Sequence, residues 1–390
     1  MNQGMRNKTL VALVPQERYV REEVYQAINK GLTLIQAERL ISSSSLKVLL
    51  KINLLSATPP ERGIITHPEV VGAVTRWFRE RGCEVWVGDA AFTGDMGAEV
   101  GEKKDPFSIT GIREVVEEEG GKIINFNREG YREVKVNGKR VNTLHLAEPL
   151  FQVDIVVSVA KLKTHELTFI TGAVKNFFGC IPSRDRNLLH RDGDPEKFSE
   201  NVLDLFSVCR CDLGIIDGIE GMEGEGPAQG KVRKVGVLLF AKNPHALDAV
   251  MAKIMGFSPY EIPLLYLAEK RGWVDLKNIE VIGAELEKFI IPNFEKPSTF
   301  LSKRKRNILK FLAPLGVPLL DTYPKLKREK CIQCGLCKER CPVEAIELTP
   351  YPQVNYGKCI RCFTCIEICP QGAFHPSHSF LTRILRKLRH

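Results

Sequence analysis

Up to about residue 290, short apolar runs alternate along the chain with segments of helical periodicity. Most of the runs are continuously apolar, which is expected of strands that are covered on both faces. The predicted strands are Leu10–Val14, Lys47–Asn53, Glu84–Asp89, Asp154–Ala160, Leu213–Asp217, Val235–Phe240 and Ile279–Gly283. Because strands and helices alternate, we predict an α/β domain with a mostly parallel sheet.

One predicted helix, Pro68–Arg81, has clear signals at both ends. Thr66 precedes it and Glu69 follows three residues later, a spacing that predicts a capping box. Gly82 then ends the helix, because glycine readily adopts the left-handed conformation found at helix C-termini.

The predicted strand 154–160 runs directly into the polar segment KLKTHELTFITGAVKNFFGCIP, residues 161–182. An open parallel sheet binds ligands beyond the carboxyl ends of its strands. We therefore expect this segment to line a polar crevice with the loop that follows strand 213–217. The predicted catalytic residues are His165 and Lys175, and the predicted substrate-binding residues are Lys161, Lys163, Asn176 and Asp217.

Taken singly, each of these residues also has a structural interpretation. Lys161 and Lys163 could be solvated strand ends, and a single histidine such as His165 is more often structural than catalytic. Their number at one sheet edge favours a site, because opposed titratable groups in a cleft shift each other's pKa. The glycine- and glutamate-rich loop at 217–227 lacks the spacing of a phosphate-binding P-loop.

Eight of the twelve cysteines lie in one short segment near the C-terminus. They form two runs of the pattern C-x2-C-x2-C-x3-C-P, in which the fourth cysteine of each run binds the cluster of the other run. We predict two [4Fe–4S] clusters, the first held by Cys331, Cys334, Cys337 and Cys369, and the second by Cys359, Cys362, Cys365 and Cys341. A structural zinc site would instead need isolated C-x2-C pairs. The segment resembles a bacterial ferredoxin with two [4Fe–4S] clusters.

These patterns predict four parts of the chain: an α/β domain over 1–297, a basic and apolar linker over 298–327, a small α+β ferredoxin-like domain over 328–374 and a basic amphipathic tail over 375–390. The net charge of +9 comes from the C-terminal quarter, where residues 301–390 hold 17 Lys/Arg and 6 Asp/Glu. These charges show no interleaved aromatic pattern, so we expect no nucleic-acid partner. We also expect no transmembrane segment and no signal peptide, and hence a cytoplasmic protein.

The α/β region resembles a known family, the domain of unknown function 362, over about residues 45–285. The resemblance rests on these residues: Asn53, Thr66–Glu69, Gly88–Asp89, Lys161–His165, Thr171–Asn176, Gly179, Asp217–Ile219, Gly226–Pro227 and His245–Ala249. A C-terminal ferredoxin module is a known companion of that family. The resemblance implies that the segment after strand 154–160 is a defining feature, but the family has no assigned reaction.

A looser likeness involves the nickel-pincer lactate racemase family. The order of His165, Gly172, Lys175 and the stretch 179–182 is similar to a segment in which a lysine carries the cofactor and a histidine ligates nickel. This chain departs from that segment, because Val174 stands where the family has arginine and Asn176 follows the lysine.

Three functional hypotheses follow. The first is an oxidoreductase that passes low-potential electrons from two [4Fe–4S] clusters to an anionic small molecule or second cofactor near His165 and Lys175. The second is a non-catalytic electron carrier whose basic region docks on an acidic redox partner protein. The third is a metal-cofactor enzyme related to lactate racemase. The sequence contains no glycine-rich fingerprint for a nicotinamide or flavin cofactor.

Overall fold

The computed structural model of the protein describes residues 8–43, 45–90, 105–300 and 322–378. Its strands are β1 Thr9–Pro15, β2 Lys47–Ile52, β3 Glu84–Asp89, β4 Lys122–Asn125, β5 Tyr131–Lys135, β6 Thr143–Ala147, β7 Ile155–His165, β8 Phe169–Thr171, β9 Leu213–Glu223, β10 Lys231–Ala241, β11 Ile279–Gly283, β12 Thr322–Leu326, β13 Ile346–Leu348, β14 Pro352–Val354 and β15 Phe374–His378. Its α-helices are α1 Arg21–Leu34, α2 Pro68–Arg79, α3 Pro106–Ile109, α4 Ile112–Glu118, α5 Phe126–Glu129, α6 Ala173–Asn176, α7 Ser183–His190, α8 Pro195–Phe206, α9 Pro244–Ile254, α10 Pro263–Lys270, α11 Leu336–Glu339 and α12 Thr364–Glu367.

Nine strands of the described chain form one mixed sheet in the order β11-β1-β10-β9-β7-β2-β3-β4, with β8 paired to β7. Five of the pairings are parallel and three are antiparallel, the latter being β1 with β10, β10 with β9 and β7 with β8. The predicted α/β domain with a mostly parallel sheet is therefore confirmed. All seven predicted strands are present, whereas β4, β8 and the β5–β6 hairpin were not predicted.

Buried side chains cover both faces of the sheet, as the continuous apolar runs predicted. Along β1, Val11 and Leu13 belong to one apolar cluster, and Ala12 and Val14 belong to the other. Helices α1, α2 and α4 supply residues to the cluster with Ala12, and α8, α9 and α10 supply residues to the opposite cluster. The domain thus has three layers, with the sheet in the middle.

Strand β7 is longer than predicted and carries its polar residues into the interior. The prediction ended at Ala160, but the strand continues to His165 and all of its residues are buried. The continuation is possible because Lys163 pairs with Thr171 of β8 and His165 pairs with Phe169, so the backbone of β7 has partners beyond the expected end.

The capping box predicted at the start of α2 is wrong. The hydroxyl of Thr66 donates to the carbonyl of Val159 at 2.7 Å and accepts from the amide of Asn53 at 3.0 Å, so it is not free to cap the helix. His67 takes the position instead, and its Nδ1 accepts from the amide of Glu69 at 3.2 Å. The loop that leads into α2 is thereby tied to β7.

The C-terminal region forms the predicted small domain of short helices and antiparallel strand pairs. Strand β12 pairs with β15, and β13 pairs with β14. Its core contains Phe363, Ile366 and Phe374 beside buried cysteines. Because β12 pairs with β15, residues 322–326 form part of this domain, while 301–321 of the predicted linker and 379–390 of the predicted tail lie outside the described residues.

Candidate functional site

A short helix, α6, carries Lys175, and Asp248 holds the first turn of this helix. Both carboxylate oxygens of Asp248, which lies on α9, accept hydrogen bonds from the amides of Ala173 and Val174, at 2.6 and 3.1 Å. Burial raises the pKa of Asp248 to about 7, although the two amide donors oppose the rise. A Cβ atom at Gly172 would lie 2.2 Å from Asp248 Oδ1, so the approach requires glycine. These contacts fix the position of Lys175.

A cavity with an empty volume of about 760 Å³, part of it open to solvent, lies between the main domain and the small domain. Four of the predicted site residues line it, namely Lys163, His165, Lys175 and Asn176. Thr364, Glu367 and Ile368 line it from the small domain. The cavity thus lies beside four of the six predicted site residues, and the ferredoxin-like domain forms one of its walls.

The other two predicted substrate-binding residues, Lys161 and Asp217, are not among the residues that line this cavity. They face each other on β7 and β9, and Lys161 Nζ lies 2.9 Å from Asp217 Oδ2. The hydroxyl of Tyr19 accepts from Lys161 at 2.7 Å and donates to Asp217 at 3.0 Å. The structure thus gives this pair an internal contact in place of a ligand.

Lys163 and Lys175 are both buried, and both have pKa values lowered to near neutral pH. Burial lowers the pKa of Lys163 to about 7, and the positive charge of Lys175 lowers it further. Burial also lowers the pKa of Lys175 to about 8, while the Glu367 carboxylate opposes the change. Lys163 Nζ donates to the carbonyl of Ile64 at 2.5 Å. Lys175 Nζ lies 3.8 Å from the ring centre of Phe178, and no residue of the described chain accepts a hydrogen bond from it.

His165 is held as a neutral imidazole with a defined tautomer. Its Nδ1 accepts from the amides of Leu167 and Thr168 at 3.0 and 3.4 Å, so this nitrogen carries no proton. The proton is therefore on Nε2, which lies 3.3 Å from Glu367 Oε1. Burial lowers the pKa of His165 well below its usual value, and the charge of Lys175 lowers it further.

Asn176 ties the cavity floor to β2. Its Nδ2 donates to the Lys51 carbonyl at 2.7 Å and to the Ser158 hydroxyl at 3.1 Å. Its Oδ1 accepts from Lys51 Nζ at 3.3 Å, and that ammonium group also lies 3.0 Å from Asp89 Oδ1. Because both ends of the amide already have protein partners, Asn176 positions its neighbours more than it offers contacts to a ligand.

Sequence reasoning missed three ionisable residues that line the cavity: Glu367 of α12, and Arg186 and His190 of α7. Glu367 lies between Cys365 and Cys369, so its place beside a predicted cluster was a usable signal. Arg186 and His190 lie on a polar helix with no distinctive motif. His190 Nδ1 is 2.8 Å from the Arg186 carbonyl, and burial lowers the pKa of His190 to about 3.

The predicted ligands of the first cluster lie together. Cys331, Cys334, Cys337 and Cys369 line one cavity of the small domain, with an empty volume of about 350 Å³ that includes open solvent. The amide of Ala373 donates to Cys369 Sγ at 3.1 Å. A thiolate donor set with amide hydrogen bonds to sulfur is suited to a [4Fe–4S] cluster.

The predicted ligands of the second cluster are also neighbours. Burial raises the pKa of Cys362 to about 11, and the nearby thiolates of Cys341 and Cys359 contribute to the rise. Cys362 and Cys359 likewise act on the buried thiol of Cys365. The amide of Ala345 donates to Cys341 Sγ at 3.2 Å. Within the described ranges, no three His, Cys, Asp or Glu side chains converge on a point that could hold a single metal ion.

One short helix connects the second cysteine set with the cavity. Helix α12 carries Cys365 and Glu367, and Glu367 reaches His165 of the main domain. Cys365 is buried, whereas Cys334 of the first set is exposed. Cys365 of the second set therefore lies on the helix that lines the cavity, and Cys334 of the first set lies at the surface.

Comparisons with known proteins support both regions. The family described as Domain of unknown function (DUF362) matches residues 48–253, and a 4Fe-4S dicluster domain matches residues 323–370. The thylakoid-associated protein sll1697 of Synechocystis sp. is 33% identical over 229 residues, which cover 58% of this chain and 68% of that protein. No helix in the described part of the chain is long and apolar enough to cross a membrane.

The lactate racemase apoprotein from Thermoanaerobacterium thermosaccharolyticum is a structural relative of lower similarity. It superposes with a TM-score of 0.41 at 9% sequence identity, over 64% of this chain and 58% of that chain. A likeness of this size supports no conclusion about function.

Proposed function

Because the chain belongs to the family described as Domain of unknown function (DUF362), whose description names no reaction, we propose a function from the site itself. The protein is an iron–sulfur oxidoreductase that reduces an anionic substrate in the cavity between its domains. The observation that carries the proposal is the buried ammonium group of Lys175, which faces this cavity without a hydrogen-bond acceptor among the described residues. A buried cation without such a partner is costly, and an anionic ligand would offset that cost.

The 4Fe-4S dicluster domain supports electron transfer. Two [4Fe–4S] clusters bound by the eight cysteines would supply electrons one at a time from a low-potential donor. Exposed Cys334 suits the input side, and buried Cys365 suits the side that faces the substrate. The short distance in sequence between Cys365 and Glu367 brings the second cysteine set close to the cavity wall.

Lys175 and Lys163 are suited to bind the substrate and to supply protons. Both line the cavity, and their ammonium groups can hold an oxyanion. Adding two electrons to a double bond of the substrate requires two protons. Groups with pKa values of about 7 and about 8 are effective proton donors near neutral pH.

In this proposal His165 does not act as the catalytic residue that the sequence predicted. Loss of the Nε2 proton from a neutral imidazole would leave an imidazolate, which is a poor outcome in a buried site. We assign His165 the role of positioning Glu367 through the 3.3 Å contact between its Nε2 and Glu367 Oε1. It is therefore a positioning residue.

The cavity favours the oxidoreductase over a pure electron carrier, because a carrier has no use for two buried lysines in an interdomain space. The metal-cofactor alternative has its own test. If that alternative is right, elemental analysis of anaerobically purified protein will find a second metal, such as nickel, in addition to iron.

The test uses full-length protein with both clusters, reduced anaerobically with dithionite and freed from excess reductant. The reduced protein is mixed separately with nitrite, sulfite, crotonate and 2-oxobutyrate, and the visible absorbance of the clusters is followed. We expect at least one of these anions to reoxidise the wild type, and Lys175→Gln with the same iron content to react at least tenfold more slowly.

Lys197→Gln is the matched control, since Lys197 is 57% exposed and lies on α8. It should react like the wild type. Equal reoxidation rates for Lys175→Gln and the wild type would remove the cavity from the reaction and favour the carrier hypothesis.

A further inference from the structure

Four polar atoms on residues that line the interdomain cavity have no hydrogen-bond partner in the described chain, namely His190 Nε2, Thr171 Oγ1, Asn53 Oδ1 and Glu367 Oε1. His190 Nε2 and Thr171 Oγ1 are both buried and make no hydrogen bond with any described residue. The residues themselves are only 3% and 4% exposed. Buried polar groups are nearly always paired, so orphaned atoms in a cavity wall indicate a missing hydrogen-bonding ligand.

The tautomer of His190 defines what this ligand must offer. His190 Nδ1 lies 2.8 Å from the Arg186 carbonyl, and a carbonyl can only accept, so the ring proton is on Nδ1. Nε2 is therefore a bare acceptor. A ligand group that pairs with it must donate an O–H or N–H hydrogen.

The ammonium group of Lys175, which faces the same cavity, lies close to His190. Lys175 Nζ is 3.8 Å from the centre of the Phe178 ring, and the His190 ring contacts the same phenyl ring at a centroid distance of 5.1 Å. One small molecule can thus reach both groups. Asn53 Oδ1, a further buried acceptor of the cavity wall, also has no partner in the described chain.

We propose that the cavity selects organic anions that also carry a hydroxyl or amide N–H group, and that His190 makes this selection by accepting a hydrogen bond at Nε2. The inference deepens the proposed function and rests on it for the anion site at Lys175. A fully deprotonated oxyanion, or an acid with only ether and alkyl groups, pairs with Lys175 but leaves Nε2 desolvated and unpaired. Such a loss is a strong source of discrimination, because the site is built around the missing donor.

The test measures binding, without turnover, to the oxidised full-length protein with both clusters. Isothermal titration is carried out with butyrate, 4-hydroxybutyrate, 4-methoxybutyrate and succinamate. We expect 4-hydroxybutyrate and succinamate to bind at least about tenfold more tightly than butyrate and 4-methoxybutyrate, the ratio typical of one hydrogen bond to a buried group.

Two variants of His190 place a side-chain amide near different nitrogen positions of the lost ring. In His190→Gln the amide can place an oxygen near the position of Nε2, so the preference for hydroxyl and amide acids should be retained. In His190→Asn the shorter amide replaces only the Nδ1 end, so the preference should be lost while butyrate still binds. The four wild-type affinities are decisive even where a variant fails to fold.

Equal affinity of the wild type for all four acids, or no binding of any of them, would overturn the inference. An unchanged preference in His190→Asn would overturn the role of His190. The variant Lys175→Gln distinguishes a failure of the selection by His190 from a failure of the proposed function. If it weakens all four acids while the wild type shows no preference, the anion site stands and only the selection by His190 is refuted; if it changes no affinity, the proposed function fails too.

Discussion

Nε2 of His165, at the end of β7, lies 3.3 Å from Oε1 of Glu367, which lies on the same short helix as Cys365. Because His165 Nδ1 accepts backbone amides, its only proton faces the Glu367 carboxylate. The contact joins the α/β domain to the segment that carries a predicted cluster ligand. Lys163, Lys175 and Glu367 all line the cavity, so the contact lies in the wall that the two domains share.

Replacement of Glu367 tests this contact. Glu367→Leu leaves the His165 Nε2–H buried without an acceptor, whereas Glu367→Gln retains an acceptor oxygen. Both variants lose the same charge beside the lysines, so the difference between them isolates the polar contact between His165 Nε2 and the oxygen at position 367. We expect Glu367→Leu to be less stable than Glu367→Gln by about 1–3 kcal/mol, measured by denaturant unfolding at equal iron content. Equal stability would show that the contact contributes nothing.

Anion binding should depend on pH through Lys175. Its pKa is lowered to about 8, so the ammonium is charged below that pH and becomes neutral above it. The affinity for butyrate should therefore fall by up to about tenfold per pH unit above pH 8. Lys175→Arg, whose guanidinium stays charged, should bind with little change between pH 8 and pH 10.

The control for this experiment is Lys197→Arg, a change of the same kind at an exposed position. It should retain the wild-type pH profile. A fall in affinity above pH 8 that persists unchanged in Lys175→Arg would assign the titration to another group.

The turn that presents Lys175 should tolerate no side chain at Gly172. The backbone there is extended, so alanine has no conformational penalty, but its Cβ would lie 2.2 Å from Asp248 Oδ1. We expect Gly172→Ala to lower the free energy of unfolding by about 1–3 kcal/mol, as overpacking does. It should also weaken butyrate binding, because α6 must shift.

Gly72→Ala in α2 is the matched substitution, since its nearest side-chain atom would be 3.4 Å away. It should be neutral or slightly stabilising, because alanine favours the helix. If Gly172→Ala and Gly72→Ala behave alike in both measurements, Asp248 does not set the position of the turn.

The crossed assignment of the cluster ligands makes a prediction about iron content. The wild type should hold about eight iron atoms per chain. The double variant Cys341→Ser/Cys365→Ser affects one predicted cluster and should keep about four, whereas Cys337→Ser/Cys341→Ser affects both and should keep almost none. Iron analysis with electron paramagnetic resonance of the reduced proteins measures this. Nearly complete iron loss in the first double variant would refute the crossed pairing.

The basic surface beside the first cysteine set should accelerate electron transfer from an acidic partner. Lys327 and Arg328 are exposed, and the Arg328 carbonyl accepts from the amide of Cys331 at 3.0 Å. Reversal of both charges, Lys327→Glu/Arg328→Glu, should slow reduction by an acidic flavodoxin hydroquinone about tenfold at low ionic strength. The effect should vanish near 0.5 M salt, because salt screens exposed charges.

Lys288→Glu provides the control for charge alone, since Lys288 is 68% exposed on the main domain. Stopped-flow rates for this variant should remain close to those of the wild type. A loss of rate as large as that of the double variant would mean that overall charge, and not a docking surface, controls the encounter.

Much of the fold could be predicted because its signals are local. A strand buried on both faces needs a continuous apolar run, and each of the seven predicted runs forms a strand. The spacing of the cysteines likewise predicts a dicluster module without reference to the rest of the chain, because tight turns between the first three cysteines decide which thiolates can share a cluster. The confirmed dicluster match at 323–370 covers these cysteines.

By itself, then, the sequence determined the α/β class, the ferredoxin-like module and the reactive segment after Ala160. The tertiary structure alone decided which of its lysines face a cavity. Lys161 and Lys163 stand on either side of Leu162, but strand pairing places Asp217 opposite Lys161, and domain packing leaves Lys163 in the cavity wall with Glu367. These outcomes depend on contacts between residues 56 and about 200 positions apart, and pairing register and domain docking are properties of the whole folded chain that no local pattern encodes.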